Sequence, residues 1–220
     1  MSFVPGRFIG DNVVIMQEML HTLRKNRNGT GYMAIKLDLE KAYDRLSWKF
    51  VRDTLQEMRL PHNLVEVIML CISSCSMQIL WNGEPTDKFN PSRGIRQGEP
   101  LSPYLFVACM ERLPQYIEDL VGARQWRPIP VCRGGPKISH LLFADDIILF
   151  AEATEEQARV IKRCLDIFCD ASRQKLSTSK SKVLFSPNTL YHQVDTICNI
   201  LEMTSTNDLG KYLGVPTING

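Results

Sequence analysis

The stretch that most constrains this chain is Leu141-Leu-Phe-Ala-Asp-Asp-Ile-Ile-Leu-Phe150, an apolar, strand-forming run interrupted at its middle by Asp145 and Asp146. Burying charge without a partner is costly, and two adjacent like charges raise that cost. Two arrangements relieve it. One is an exposed hairpin turn, where Asp is a favoured residue. The other is a divalent cation whose charge offsets the repulsion. The two are compatible, because a hairpin can hold two carboxylates at the tip of a rigid sheet.

A second acidic position follows the apolar run Tyr32–Leu37. Asp38 ends it, inside Lys36-Leu-Asp-Leu-Glu-Lys-Ala-Tyr-Asp44. A carboxylate there can approach Asp145 across a sheet. Mg²⁺ takes oxygen ligands and usually only one or two protein carboxylates. A pair of such ions about 3.5–4 Å apart serves phosphoryl transfer. Between the acids lies Arg93-Gly-Ile-Arg-Gln-Gly-Glu-Pro-Leu-Ser-Pro103, a glycine-punctuated loop running into a helix start. Free amides at such a start suit an anion such as a triphosphate. An ordinary surface loop fits the same residues.

Composition narrows the class. With 220 residues, 44% apolar and 23% charged, the chain is of globular type and long enough for a sizeable core. Lys+Arg at 26 against Asp+Glu at 24 leaves +2, so charge distribution rather than the total bears on partners. Residues 122–144 hold Arg124, Arg127, Arg133 and Lys137 and no acid, and residues 171–186 hold Arg173, Lys175, Lys180 and Lys182 and no acid. Such stretches can follow phosphates, or simply solvate a surface. The 7 Cys residues include no CxxC, which reads as reduced core thiols rather than a disulfide framework or zinc ribbon. No run of about 18 apolar residues is present, and the N-terminus lacks a signal-peptide core.

Local patterns predict interspersed helices and strands. Asp11 or Asn12 can cap a helix carrying Val13, Met16, Leu20 and Leu23 that ends at Asn28–Gly31. Met33, Ile35 and Leu37 alternate as a strand. Ser47 and Pro61 open two helices, and Asn82-Gly83 after Met77–Trp81 signals a hairpin. Ser102-Pro103 reads as a cap and first helical position, with Pro114 kinking or dividing that helix. Gly134-Gly135-Pro136 is a turn. Thr154 with Gln157 makes a capping box for a helix to about Gln174. Val183–Phe185 and Tyr212–Val215 read as short strands. His140 reads as a packing residue. The class is α+β with a largely antiparallel sheet flanked by helices.

Taken in order, the strand-end Asp38 with Ala42-Tyr43, the Arg96-Gln97-Gly98…Leu101-Ser102-Pro103 loop and helix, and Phe143-Ala-Asp-Asp146 resemble the reverse transcriptase domain of plant-type non-LTR (LINE) retrotransposons. Phe3-Val-Pro-Gly-Arg7 with Ile9, Asp11 and Asn12, then Lys180-Ser181 with Phe185, and Lys211-Tyr-Leu-Gly-Val-Pro216 extend the likeness over nearly the whole chain. The resemblance implies a right-hand polymerase palm with partial fingers as one domain over 1–220. Within it, 1–31 would be a fingers-side segment, 32–186 the catalytic palm core and 187–220 a primer-grip-like end. It implies RNA-directed DNA polymerase activity using two Mg²⁺ ions, with Mn²⁺ able to substitute. Asp38, Asp145 and the Leu39 carbonyl would be metal ligands, and Asp146 the accompanying carboxylate. Tyr43 would lie under the incoming sugar and block a 2′-hydroxyl, although by itself it reads as a core aromatic. Arg96, Gln97 and Gly98 would face the incoming nucleotide and template.

Lys180 would stand on the pyrophosphate side, with Lys182 close enough to leave the register open. Tyr212, Leu213 and Gly214 would hold the primer end. Partners implied are an RNA template, a DNA primer and deoxynucleoside triphosphates, with no membrane, in the nucleus of the cell; oligomeric state is left open. Glu99 departs from the Asp of many relatives. The family's first fingers elements, thumb, endonuclease and Cys/His region are not in this sequence. A fragment or truncated element is therefore expected, one that binds nucleic acid weakly, extends primers poorly or not at all, and self-associates through uncovered apolar surface. A catalytically inactive nucleic-acid-binding remnant and an RNA-directed RNA polymerase are the alternatives. Tyr43 and Ala144 argue against the latter by resemblance.

Overall fold

In the computed structural model, residues 8–132 and 134–217 are described; Phe3–Arg7 and Arg133 lie outside them. Among the described residues the helices are α1 (Ile9–Lys25), α2 (Ala42–Arg45), α3 (Trp48–Glu57), α4 (His62–Ser73), α5 (Ser102–Met110), α6 (Arg112–Gly122), α7 (Glu155–Ser172) and α8 (Tyr191–Leu201). The strands are β1 (Tyr32–Leu37), β2 (Leu80–Trp81), β3 (Glu84–Pro85), β4 (Ile129–Pro130), β5 (Lys137–Ile138), β6 (His140–Phe143), β7 (Asp146–Glu152), β8 (Lys182–Phe185), β9 (Thr204–Ser205), β10 (Lys211–Tyr212) and β11 (Val215–Pro216).

A five-stranded sheet in the order β6-β7-β1-β8-β9 forms the centre, and only the β8–β9 pair is parallel. The register pairs Leu37 with Ile147 and Tyr32 with Glu152, so β1 and β7 run fully alongside one another. Side chains alternate between faces. Met33, Ile35, Leu37, Ile147 and Leu149 pack with Phe50, Leu55, Phe106, Ile117, Ile161 and Leu165 from the helices of one layer. Ala34, Ile148, Phe150 and Leu184 pack on the other face with Met16, Met19, Leu20 and Leu23 of α1 and with Tyr212. β1 is thus a central strand with both faces covered, which the alternation of Met33, Ile35 and Leu37 by itself does not reveal. The sequence runs apolar through Ala34 because that side also meets protein.

Several local signals act as read. Ser47 caps α3, its hydroxyl accepting from the Phe50 amide. Asn82 and Gly83 both take positive φ in the two-residue turn between β2 and β3. α5 and α6 are divided at Glu111, with Pro114 in the first turn of α6.

Other signals do not. Ser102 is not a cap: α5 starts on it, Leu101 precedes as cap residue, and the buried Ser102 hydroxyl finds no partner. α1 begins at Ile9, before Asp11 and Asn12, and Asn12 instead donates to the Leu142 carbonyl, joining α1 to β6. At α7 only half of the capping box forms. Thr154 accepts from the Gln157 amide, but the Gln157 side chain is drawn inward to the Arg127 amide and the Gln125 carbonyl. Of the cysteines, Cys109 and Cys164 are buried, whereas Cys71 and Cys132 are exposed and so are not core thiols. Among the described residues no helix is long and apolar enough to cross a membrane.

Candidate active site at the tip of the sheet

β6 and β7 join through Ala144 and Asp145, with Phe143 opposite Asp146. Ala144 sits at φ 54, a left-handed conformation that an L side chain adopts at a cost of about 1 kcal/mol. The tight turn puts Asp145 in the exposed bend and Asp146 at the head of β7. Because Leu37 pairs with Ile147, the next residue out, Asp38, stands opposite Asp146. Burial pushes the Asp146 carboxyl up; the Asp145 charge adds to this, Lys36 opposes it, and Asp38 adds further. Asp38 and Asp145 thus both lie close enough to Asp146 for their charges to act on its carboxyl.

Asp38 is fixed by its backbone. Its amide donates to the Ser181 hydroxyl at 3.1 Å and its carbonyl accepts from the Ser177 amide at 2.8 Å. The Ser177 bond and the Glu40 amide bond to the Lys175 carbonyl flank the Leu39–Leu176 bridge. In that antiparallel pattern the Leu39 carbonyl points away from the 175–177 segment. Lys180 Nζ lies 3.9 Å from an Asp38 carboxylate oxygen. Lys182 turns elsewhere, donating to Thr204 across β8 and β9 at 2.7 Å. Of the two lysines, it is Lys180 that the fold brings to the acids.

Tyr43, on α2, stacks on Phe106 of α5 with ring centroids 4.6 Å apart and planes 18° from parallel. Burial raises its hydroxyl pKa and the Asp145 charge raises it further, so the ring spans from the core to the carboxylates. The loop after β3 is latched beneath it: the Ile95 amide donates to the Tyr43 carbonyl, and the Gly94 amide to the Leu46 carbonyl. Trp48 Nε1 donates to the Gly94 carbonyl at 2.7 Å. A cleft of about 590 Å³ opens here, lined among others by Asp44, Trp48, Arg93, Gly94, Arg96 and Gln97. Arg96 is ion-paired with Glu99, and Gly98 takes φ +91.

Not every predicted basic group is free. Arg127 pairs with Glu152 at 3.2 Å and with Glu156, and Lys175 pairs with Glu40 at 3.1 Å. These partners are remote in sequence, so an acid-free window does not mean a free positive charge. His140 is a packing residue: burial lowers its pKa, and Nδ1 lies 3.0 Å from the Ser139 hydroxyl. Tyr212, Leu213 and Gly214 form the β10–β11 hairpin, with Leu213 and Gly214 at φ 50 and 80 in the turn and Tyr212 wholly buried. Lys36 stands one residue from the end of β1, and its charge in an otherwise apolar or aromatic strand is the signal the sequence offers for it.

A mostly antiparallel sheet with helices against both faces and acids at a hairpin tip has the architecture of a polymerase palm. The fold is similar to the telomerase of Candida tropicalis solved with a fragment of telomeric RNA, with a TM-score of 0.57 at 15% identity over 81% of this chain and 29% of that one. The chain belongs to the reverse transcriptase (RNA-dependent DNA polymerase) family, whose model matches residues 2–217. Relatives include the Pol polyprotein of the retrotransposable element R2DM of Drosophila melanogaster, 28% identical over 97% of this chain. Another is the transposon TX1 149 kDa protein of Xenopus laevis, 30% identical over 96% of this chain. The chain spans only 20% and 15% of those two proteins.

Proposed function

We propose that this chain is the palm and part of the fingers of an RNA-directed DNA polymerase, with residues 32–186 as its catalytic core. Residues 1–31 are read as the fingers-side segment and 187–220 as the primer-grip-like end. The observation that carries the reading is the pairing of β1 with β7, whose register ends at Leu37–Ile147 and brings Asp38 toward Asp146, where its charge and that of Asp145 both act. Among the described residues no group of three or more His, Cys, Asp or Glu side chains is placed so as to hold a metal ion, so any ion here would rest on fewer side-chain carboxylates. Crowded carboxylates with an all-oxygen donor set fit Mg²⁺, which keeps most of its shell for water and phosphate. Asp38, Asp145 and the Leu39 carbonyl would hold it. When bound it supplies Lewis-acid stabilisation of the charge that develops on phosphate oxygens.

The chain's own groups do the rest. The primer 3′-hydroxyl attacks the α-phosphate of a deoxynucleoside triphosphate in line, the new P–O bond forms, and pyrophosphate leaves. Lys180, 3.9 Å from the Asp38 carboxylate, would offset the leaving charge. Tyr43, braced on Phe106, presents a rigid edge to the sugar. Arg96 and Gln97, which line the cleft, and Gly98 next to them would face the nucleotide and template. Gly98, at positive φ, has open space where a Cβ would stand, which leaves room for a backbone to approach. An RNA template is the partner that the family's RNA-dependent DNA polymerase description favours, and a nuclear location is read from the likeness to retrotransposon Pol proteins.

Single-nucleotide incorporation on an RNA template with a DNA primer and Mg²⁺ tests this. The chain should add deoxynucleotides with low processivity, and Asp145→Asn should remove the activity while keeping the fold. Incorporation no higher than in Asp145→Asn would overturn the proposal.

A further inference from the structure

β1 is apolar or aromatic at every position but one. Lys36 stands between Ile148 of β7 and Lys182 of β8 on the face that carries Ala34 and Leu184. Lys36 is half-buried, one residue from the end of β1, and its ammonium finds acceptors on another segment. Those acceptors lie far along the chain. Lys36 Nζ donates to the Leu209 carbonyl at 3.3 Å and to the Lys211 carbonyl. These residues flank Gly210 at the entrance to the β10–β11 hairpin.

The same hairpin is held at two further points. Arg24 of α1 donates to the Thr217 carbonyl at 3.2 Å. Within the segment, the Asp208 carboxylate accepts from the Gly210 amide and the Thr217 hydroxyl, each at 2.8 Å. Tyr212 fills the space between hairpin and sheet, with Asn12 and Asp146 as neighbours of its hydroxyl. Of these anchors Lys36 is the one on β1, two residues before Asp38. It is also the only one whose position is set by the β1–β7 register that places the carboxylates.

We propose that Lys36 is a positioning residue that ties the β10–β11 hairpin to the strand bearing Asp38, so that primer end and carboxylates move as one unit. This rests on reading the hairpin as the element that holds the primer. The reasoning is geometric. A primer terminus must meet the α-phosphate within a fraction of an ångström, and about 1 Å of misplacement can cost around a hundredfold in rate. A short two-stranded hairpin has little rigidity of its own. Its placement must come from the sheet beneath, and Lys36 is a direct bond from the catalytic strand to the hairpin backbone. Because it binds main-chain carbonyls, the tie is independent of which side chains the hairpin shows to nucleic acid.

The test uses the whole 220-residue chain with Lys36→Met, which keeps length and apolar stem but removes the donors, and Lys36→Arg, which keeps donors. Amide hydrogen exchange is read separately for 208–217 and for β1 and β7. Lys36→Met should exchange at least tenfold faster in 208–217 with β1 and β7 unchanged, and Lys36→Arg should stay within about threefold of the parent. Unchanged exchange at 208–217, or equal loosening of β1 and β7, would overturn the tie. In single-nucleotide incorporation, Lys36→Met should lower the maximal rate at least tenfold while the deoxynucleotide KM moves less than twofold. An unaltered rate in a chain whose parent incorporates would overturn the positioning role alone. A parent chain without incorporation would overturn the polymerase reading and this role with it, while the exchange result would still stand on its own.

Discussion

Two tryptophans mark two kinds of region in this molecule. Trp126 is 1% exposed, and its indole N–H donates to the Phe150 carbonyl at the heart of the palm. Trp81, in the β2–β3 hairpin, is 73% exposed, with Leu80 at 73% and Ile79 at 54% beside it. The palm covers its sheet on both faces, so its shape is over-determined by its own packing. The 76–90 segment is a pair of two-residue strands, held at Met77 and Phe89 by backbone bonds and carrying its large apolar groups outward. The contrast teaches that the clustered acids proposed as the site sit on the part that holds itself together, while the neighbouring apolar hairpin depends on whatever covers it.

That contrast can be broken in order of effect. Trp126→Ala should be the most damaging, removing a fully buried ring and its hydrogen bond. A loss of about 3–5 kcal/mol in chemical denaturation is expected, and a loss below about 1 kcal/mol would mean the palm core is not over-determined. Gly94→Ala strikes the junction between the regions. Gly94 has φ +87, and an added Cβ would lie 2.7 Å from the Asp44 carbonyl oxygen. Backbone strain and steric conflict together should cost about 2 kcal/mol in the same assay, with the cleft beside Tyr43 loosened.

Tyr43→Ala reads the boundary chemically. Removing the ring should cut discrimination against ribonucleotides about tenfold, or ~1.4 kcal/mol, measured as the ratio of kcat/KM values. Unchanged discrimination would return Tyr43 to a packing role against Phe106. The smallest effect on stability belongs to Leu80→Lys with Trp81→Lys. Stability should move by no more than about 0.5 kcal/mol, while self-association seen by analytical ultracentrifugation should fall. A large loss of stability would show the hairpin to be part of the core after all.

Much of the site was legible because its signals are local or serial. Asp145-Asp146 interrupts an apolar run, Asp38 ends another, and Asn82-Gly83 carries turn chemistry that needs no distant partner. Ser47 worked as a cap for the same reason. Ser102 failed as one because helix α5 already begins on it, which is set by how the preceding loop packs. The Gln157 side chain left its expected capping partner for two backbone groups of the 125–127 segment, contacts that arise only when α7 and that loop meet.

What the sequence by itself determined was where turns, caps and apolar runs fall and in what order the acids come, since these depend on φ/ψ preferences and on neighbours within a few residues. What only the tertiary structure decided was which charges find partners. Arg127 is engaged by Glu152 and Glu156, Lys180 rather than Lys182 stands beside Asp38, and Lys36 reaches across to Leu209 and Lys211. Those pairings depend on strand register and on which face of the sheet each segment covers. Both are fixed by the packing of apolar surface from distant parts of the chain, and no local pattern encodes them.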